Sequence, residues 1–401
     1  MSPHPLAERL LTLSSTAFLL VTPFTSSAGW RAATLLVAFS CLVFLAATRS
    51  LELPRPAPRA LLAALTAWCI LASASVLWSV DIAQTLGELR REILYGALAL
   101  TVFYLSADAR RWKAWWPAML IAAIVLFVAE NLRDALAPRW GLRVWDGGGG
   151  AFSTHLVILA PLLLPLAWSA REGERTRMGL FLAALVLLFA AAWNTGNRIV
   201  WAALLVSFAI AALAFRASRH RPHVQRARYI ALAVLGVLCI LFAEAARHRV
   251  ELQAAAPVAP TAGLQGDLRP RLWIVAGEQI EKAPWLGLGY GREIAAAAFR
   301  PETPPWHPEV LHAHNVFLNV AVQLGLVGLA LFVSILLLVA REFLKALRDP
   351  ESCPFGIMGL AVLGGFITKN LTDDFLFRHN GLFFWAVTGM LLGLTRLRAR
   401  A

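Results

Sequence analysis

Two imidazoles and an amide stand together in Leu311-His312-Ala313-His314-Asn315-Val316, where a long polar stretch meets an apolar run. Histidine is the side chain whose unperturbed pKa lies nearest neutrality, so it can take and return a proton under ordinary conditions. An extended backbone through 312–314 points both imidazoles to one side, whereas a helix makes them diverge. Asn315 has the residue type and position of an N-cap for the following helix. Upstream, Arg198 ends Trp193-Asn194-Thr195-Gly196-Asn197-Arg198, and Arg269 and Arg271 flank Pro270. Interfacial arginines either anchor a chain by snorkelling or bind anions. The turn Pro284-Trp285-Leu286-Gly287-Leu288-Gly289-Tyr290-Gly291 lets backbone approach a phosphate or sugar closely, but no strand precedes it, which excludes a dinucleotide fingerprint.

The elements that must position these residues are apolar. Of 401 residues 59% are hydrophobic and 15% charged, and the mean hydropathy is +0.64. Soluble domains carry roughly a quarter charged residues. The chain therefore reads as an all-α membrane protein. Apolar runs fall near 10–25, 30–47, 61–80, 93–106, 115–129, 151–169, 178–193, 198–215, 229–246, 315–340, 355–371 and 381–396, and a span needs about 20 residues. This predicts twelve transmembrane helices, the first retained rather than cleaved as a signal peptide: nine over 1–246, a loop domain over 247–313 and three over 314–401. The four cysteines show no CxxC spacing, so neither a disulfide framework nor a zinc site is expected.

With a cytoplasmic N-terminus, 21 of the 37 basic but only 8 of the 24 acidic residues fall in cytoplasmic segments. That asymmetry obeys the positive-inside rule and sets the 247–312 segment outside. The formal charge of +13 is thus a topology signal, and no basic stripe interleaved with aromatics points to nucleic acid. Outside the membrane, Asp146-Gly147-Gly148-Gly149-Gly150 reads as a mobile connection that could open a lateral path for a lipid. The prolines 301, 304, 305 and 308 keep the chain extended up to the histidines. The loop with Asp373, Asp374, Arg378 and His379 reads as solvated.

In order along the chain, Asn194-Thr195-Gly196-Asn197-Arg198, then Arg271-Leu272-Trp273 with Pro284-x-x-Gly287-x-Gly289, then His312-Ala313-His314-Asn315-Val316-Phe317-Leu318 running into Gly325-Leu326-Val327-Gly328 resemble the O-antigen ligase and polymerase superfamily of bacterial envelope glycosyltransferases. The resemblance is specific over about 190–340. It implies a GT-C-like inner-membrane enzyme with a periplasmic site that transfers a polysaccharide from undecaprenyl diphosphate to lipid A-core. The nearest alternative is a polymerase joining two undecaprenyl-linked repeats, and a lipid-linked sugar transporter also needs cations for the diphosphate. By the resemblance, Arg198 and Arg271 clamp the diphosphate and His314 is the general base. His312, Asn315, Arg269, Gly287, Gly289 and Tyr290 contact substrate. Arginine's planar fork suits a diphosphate, and two arginines near His314 would hold its pKa down. No Asp-x-Asp and no third ligand for the two histidines is evident, so neither a metal nor another cofactor is expected.

Overall fold

The computed structural model describes residues 4–51, 53–140, 148–168, 175–218, 232–244, 247, 268–302 and 311–397. Among them the fold is all-helical, with no strand. The outer stretch 248–267, prolines 304, 305 and 308, and Asp146-Gly147 lie outside the described residues.

The chain runs α1 (Pro5–Val21), α2 (Ala28–Ala47), α3 (Arg59–Ala74), α4 (Ile82–Glu88) and, after a π-helical turn Leu89–Leu94, α5 (Tyr95–Leu105) and α6 (Ala109–Trp140). Next come α7 (Gly148–Leu159), α8 (Leu164–Trp168), α9 (Arg175–Asn194), α10 (Ile199–Ala217) and α11 (Leu232–Glu244). The last five are α12 (Arg269–Lys282), α13 (Ala296–Phe299), α14 (Val316–Ala346), α15 (Cys353–Asn370) and α16 (Arg378–Leu394). Among the described residues four helical stretches are long and apolar enough to cross a membrane: Thr25–Ala47, Arg59–Leu77, Ile199–Ala217 and Val316–Ala346. Gly150–Leu166, Met178–Asn194 and Leu232–Glu244 are shorter apolar helices. Apolar runs in the sequence do not map one to one onto long helices. The run at 151–169 is interrupted by a 3-10 turn at Ala160–Leu163, where Pro161 sits, because proline cannot continue the helical ladder.

The main core gathers α10 on α15, α16 on α5, α1 on α2, and α14 against both α15 and α3. Phe366 and Phe384 stack within it, with centroids 4.0 Å apart. A second, smaller core of Leu272, Ala276, Ile294, Ala295, Phe299, Ala313 and Val322 joins α12 and α13 to α14. Ala313, the residue between the two histidines, is wholly buried there. The histidine loop is therefore anchored by apolar burial between its polar side chains.

Helix α14 is broken at Gly325 (φ 65°, ψ −168°). The break frees backbone groups that a helix would satisfy internally, and the glycine-rich turn takes them up. Leu288 N and Gly289 N donate to the carbonyls of Val322 and Gln323 at 3.0 Å, while Leu326 N donates to Pro284 O at 2.7 Å. A Cβ on Gly287 (φ 67°) would lie 2.5 Å from the Gln323 carbonyl carbon, so only glycine allows this approach. Two further bonds fasten the same turn to the segment after α3: Val80 N to Leu288 O and Trp78 Nε1 to Leu286 O. Gly287→Ala and Gly325→Ala are each expected to cost about 1–3 kcal/mol, the usual strain of a non-glycine residue in such a conformation. Gly277→Ala, mid-α12 with open space at its Cβ, should be neutral or stabilise by up to about 1 kcal/mol. Thermal unfolding in detergent separates the three variants, and equal melting temperatures would contradict this role for the break.

Candidate active site

Helix α14 begins as its sequence demands. Asn315 is extended (φ −158°) and its side-chain oxygen accepts from Phe317 N and Leu318 N, at 2.9 and 3.1 Å. Its Nδ2 donates to Leu371 O at 2.9 Å. The cap thus also fastens the loop between α15 and α16 to the histidine loop. One turn into α14, Asn319 Nδ2 donates to Asp374 Oδ2 at 2.6 Å.

These fastenings bring the histidines and the aspartates together. His312 and His314 stack with centroids 4.1 Å apart, on one side of the chain. His314 takes a left-handed φ of 47°, uncommon for a residue with a side chain. Its backbone N–H donates to His312 Nδ1 at 3.1 Å, so the proton of a neutral His312 sits on Nε2. His312 is 2% exposed. Burial first, then Arg292 and His314, push its pKa well below the ordinary histidine value, and the ring stays neutral.

His314 Nδ1 lies 3.0 Å from Asp373 Oδ1. Burial alone would raise the Asp373 carboxyl. The hydrogen bond and charge of His314, the nearby Lys369 and the Asp374 N–H outweigh it and hold the group far below the usual carboxylate range. Asp373 is therefore ionised, and the shared proton belongs to His314 Nδ1. Asp374 moves the other way: burial raises its carboxyl, opposed by Arg292 and by the Asn319 hydrogen bond. Two adjacent carboxylates with opposed shifts are a feature of sites that handle protons.

The loop holding these aspartates is not solvated, contrary to the expectation from sequence. Asp373 and Asp374 are 8% and 5% exposed. The nearby glycine run is likewise no loose connection. Gly148 to Gly150 open α7, and a Cβ on Gly150 would lie 2.6 Å from the Phe375 ring and 3.5 Å from Asn197 Nδ2. The start of α7, the turn before Arg198 and the aspartate loop thus meet at Gly150. Lys369 Nζ sits 4.4 Å from the centroid of the Phe375 ring.

Other residues singled out from sequence are distributed as follows. Arg269 heads α12 and donates from Nε to Thr372 O at 2.8 Å, beside the aspartates. Arg271 and Arg198 are exposed at the starts of α12 and α10. Among the described residues neither meets His312 or His314, and the group against His314 is a carboxylate. Gly287 N and Gly289 N are bonded to the carbonyls of Ala283 and Gln323, so their donors serve the fold. Tyr290 N donates to Ser75 Oγ, and its ring meets Trp68 edge-on at 6.3 Å. Sequence reasoning missed Asp373 as the partner of His314, passed over Arg292, and left Lys369 among the residues of a solvated loop. The adjacency of Asp373 and Asp374 was the visible signal.

One atom each of His312, His314 and Asp373 lies within 4.8 Å of the others, a spacing that could hold a metal ion. Asp373 supplies the third partner that sequence alone did not reveal. The same geometry also suits an imidazole oriented by a carboxylate.

The family model described as O-antigen ligase matches residues 153–333. Over these residues the chain is similar to the O-antigen ligase family. No curated protein matches the chain. The O-antigen ligase segment contains Arg198, Arg271 and both histidines. Lys369, Asp373 and Asp374 lie beyond it, yet they complete the surroundings of His314. Members of the family are glycosyltransferase-like enzymes, ligases and polymerases of O-antigen.

The depressed Asp373 pKa has a sign that can be tested. A carboxyl whose native pKa is lowered adds stability above its unfolded value of about 3.9, and loses it as pH falls through the native value. The melting-temperature gap between the wild type and Asp373→Asn should stay constant from pH 7 to about 4.5 and close only in stronger acid. A gap already closed at pH 6 would contradict the ionised pair.

Proposed function

We propose that the chain transfers an O-antigen polysaccharide from undecaprenyl diphosphate to lipid A-core, at the periplasmic face of a bacterial inner membrane. The observation that carries this reading is the contact between His314 Nδ1 and Asp373. It commits one ring nitrogen to an ionised carboxylate and leaves Nε2 with its lone pair as proton acceptor. Asp373 orients the ring and stabilises the imidazolium that forms, the role a carboxylate plays beside other histidine bases. His312, neutral and buried, holds the His314 backbone.

The acceptor hydroxyl gives its proton to His314 Nε2 as its oxygen forms a bond to the anomeric carbon. The bond from that carbon to the diphosphate oxygen breaks, and its electron pair leaves with the diphosphate. A single displacement inverts the anomeric centre. In this reading Arg198 and Arg271 bind the departing diphosphate bidentately, staying charged throughout, with Arg269 beside them. Asn315, Gly287, Gly289 and Tyr290 fix the loops around the donor. Energy comes from the diphosphate-linked donor, and no metal or nucleotide takes part. Twelve spans with both termini in the cytoplasm fit the charge distribution.

Purified protein supplied with undecaprenyl-linked glycan and lipid A-core should yield ligated lipopolysaccharide. Longer undecaprenyl-linked glycan as the sole product would make it a polymerase, and donor movement without a covalent product a transporter. His314→Ala should lose about 10²–10⁴-fold in rate, the usual cost of a positioned base, with donor binding intact. His312→Ala should lose less, and Arg198→Lys and Arg271→Lys should be severely impaired. Chelators should leave ligation unchanged. Recovery by magnesium or manganese after a chelator-induced loss would replace the base by a metal held on His312, His314 and Asp373.

Sidedness is tested separately. A cysteine near Gly263 should react with a membrane-impermeant reagent added from outside, and one near Arg221 should not. The opposite pattern would place the site in the wrong compartment.

A further inference from the structure

Arg292 follows the glycine-rich turn and is aimed by it. Tyr290 N is held by Ser75 Oγ at 2.9 Å and Gly291 N by Gln323 Oε1 at 3.0 Å, so the backbone entering Arg292 is fastened on two sides. The side chain reaches toward the aspartate loop. Its guanidinium lies 4.4 Å over the Phe377 ring, and its Nε is 4.0 Å from Asp374 Oδ2, with only 16% of the side chain exposed.

What Arg292 does there is incomplete. A guanidinium carries five N–H donors in a rigid fork, and among the described residues none of the five donates a hydrogen bond. Its Nε is buried without one. At 4.0 Å, Asp374 is an electrostatic neighbour and too far to be a hydrogen-bond acceptor. Other shielded arginines put part of the fork to use: Arg396 donates to Glu342, Pro56 and Arg55, and Arg111, whose Nε is also bare, still donates from Nη1 to Ser106 and Asp108. Buried donors without partners are rare because they forfeit the bonds that water would supply. Asp374 keeps a hydrogen bond of its own, since Asn319 donates to its Oδ2 at 2.6 Å, although the Arg292 charge also acts on it. The fork can therefore turn to an incoming anion without leaving that carboxylate bare. A second cation beside the aspartate loop, in the last turn of α15, is similarly placed: Lys369 is fully buried and its Nζ has no hydrogen-bond partner. The aspartate loop is thus flanked by two cations with hydrogen-bonding capacity to spare.

We propose that Arg292 is a substrate-binding residue that takes the diphosphate of the lipid-linked donor. This rests on the glycosyl-transfer reading and adds a cation that lies within the site, beyond the exposed Arg198 and Arg271. The planar fork takes two oxygens of one phosphate bidentately, and a diphosphate leaves its second phosphate for the other cations of the site, whereas a monophosphate must share a single group among them. Arg292 accordingly favours a diphosphate over a monophosphate on the same lipid.

Binding of undecaprenyl diphosphate and undecaprenyl monophosphate to purified, folded full-length protein tests this without turnover. Wild type should prefer the diphosphate. Arg292→Ala should bind it about 10- to 100-fold more weakly, the loss expected for hydrogen bonds to a charged group, while monophosphate binding changes little. Arg292→Lys should fall between, and Arg91→Ala, an exposed outer arginine, should match wild type. If Arg292→Ala keeps the full diphosphate preference, the proposal is overturned. Equal loss of both ligands overturns it too, since that marks a general structural defect. If only the KM for a phosphorylated acceptor rises, the donor assignment is wrong. Failure of the wild type to bind either lipid would instead defeat the glycosyl-transfer reading itself.

Discussion

An apolar helix cannot leave backbone groups bare within a bilayer, and α14 breaks at Gly325. The rest of the site depends on how that break is repaired. The turn 284–291 supplies donors to the carbonyls of Val322 and Gln323 and an acceptor to Leu326 N. It can do so only because Gly287 brings backbone against backbone. Fixed there, the turn holds the chain after α3 on one side and delivers Arg292 on the other. The first turn of α14, before the break, carries the cap Asn315 and then Asn319. These two amides hold the aspartate loop through Leu371 O and Asp374. One helix therefore registers three segments that are remote in sequence.

The polar site that results is sheltered and asymmetric. His312 is neutral because it is buried and faces Arg292. Asp373 is ionised because His314, Lys369 and a backbone N–H outweigh its burial. Asp374, one residue on, is pushed toward its neutral form. Adjacent carboxylates thus behave differently because one faces an imidazole and the other an amide and an unbonded guanidinium. In water the same pair would titrate nearly together. The left-handed backbone of His314 is strain held by its surroundings, with Ala313 buried on one side and the cap of α14 on the other.

Local features were legible in the sequence and remote ones were not. The Asn315 cap follows from residues within a few positions of one another and appears in the structure. His312 and His314 also share a side, but through a left-handed His314 rather than an extended backbone. The O-antigen ligase resemblance also held, over 153–333. Asp373 as the partner of His314 could not be read, because the two are 59 residues apart and only packing of α14 against α15 joins them. The glycines at 287 and 289 signalled close approach, but sequence could not tell a ligand from a neighbouring backbone. Gly148 to Gly150 looked flexible in composition, whereas Phe375 packs so closely on Gly150 that a larger residue would clash. Apolar runs suggested twelve spans, whereas among the described residues four helical stretches are long and apolar enough to cross a membrane, and breaks such as that at Pro161 were not legible.

The most direct measurement of the central claim, that His314 Nε2 accepts the acceptor proton while Asp373 holds the other ring nitrogen, is chemical rescue of His314→Ala by imidazole. Removing the side chain leaves space at a site whose other parts remain. Added imidazole should restore ligation in proportion to its neutral form and saturate with concentration, with no effect on His312→Ala. Absence of rescue with donor binding intact, or rescue of His312→Ala instead, would contradict the assignment of His314 as the base.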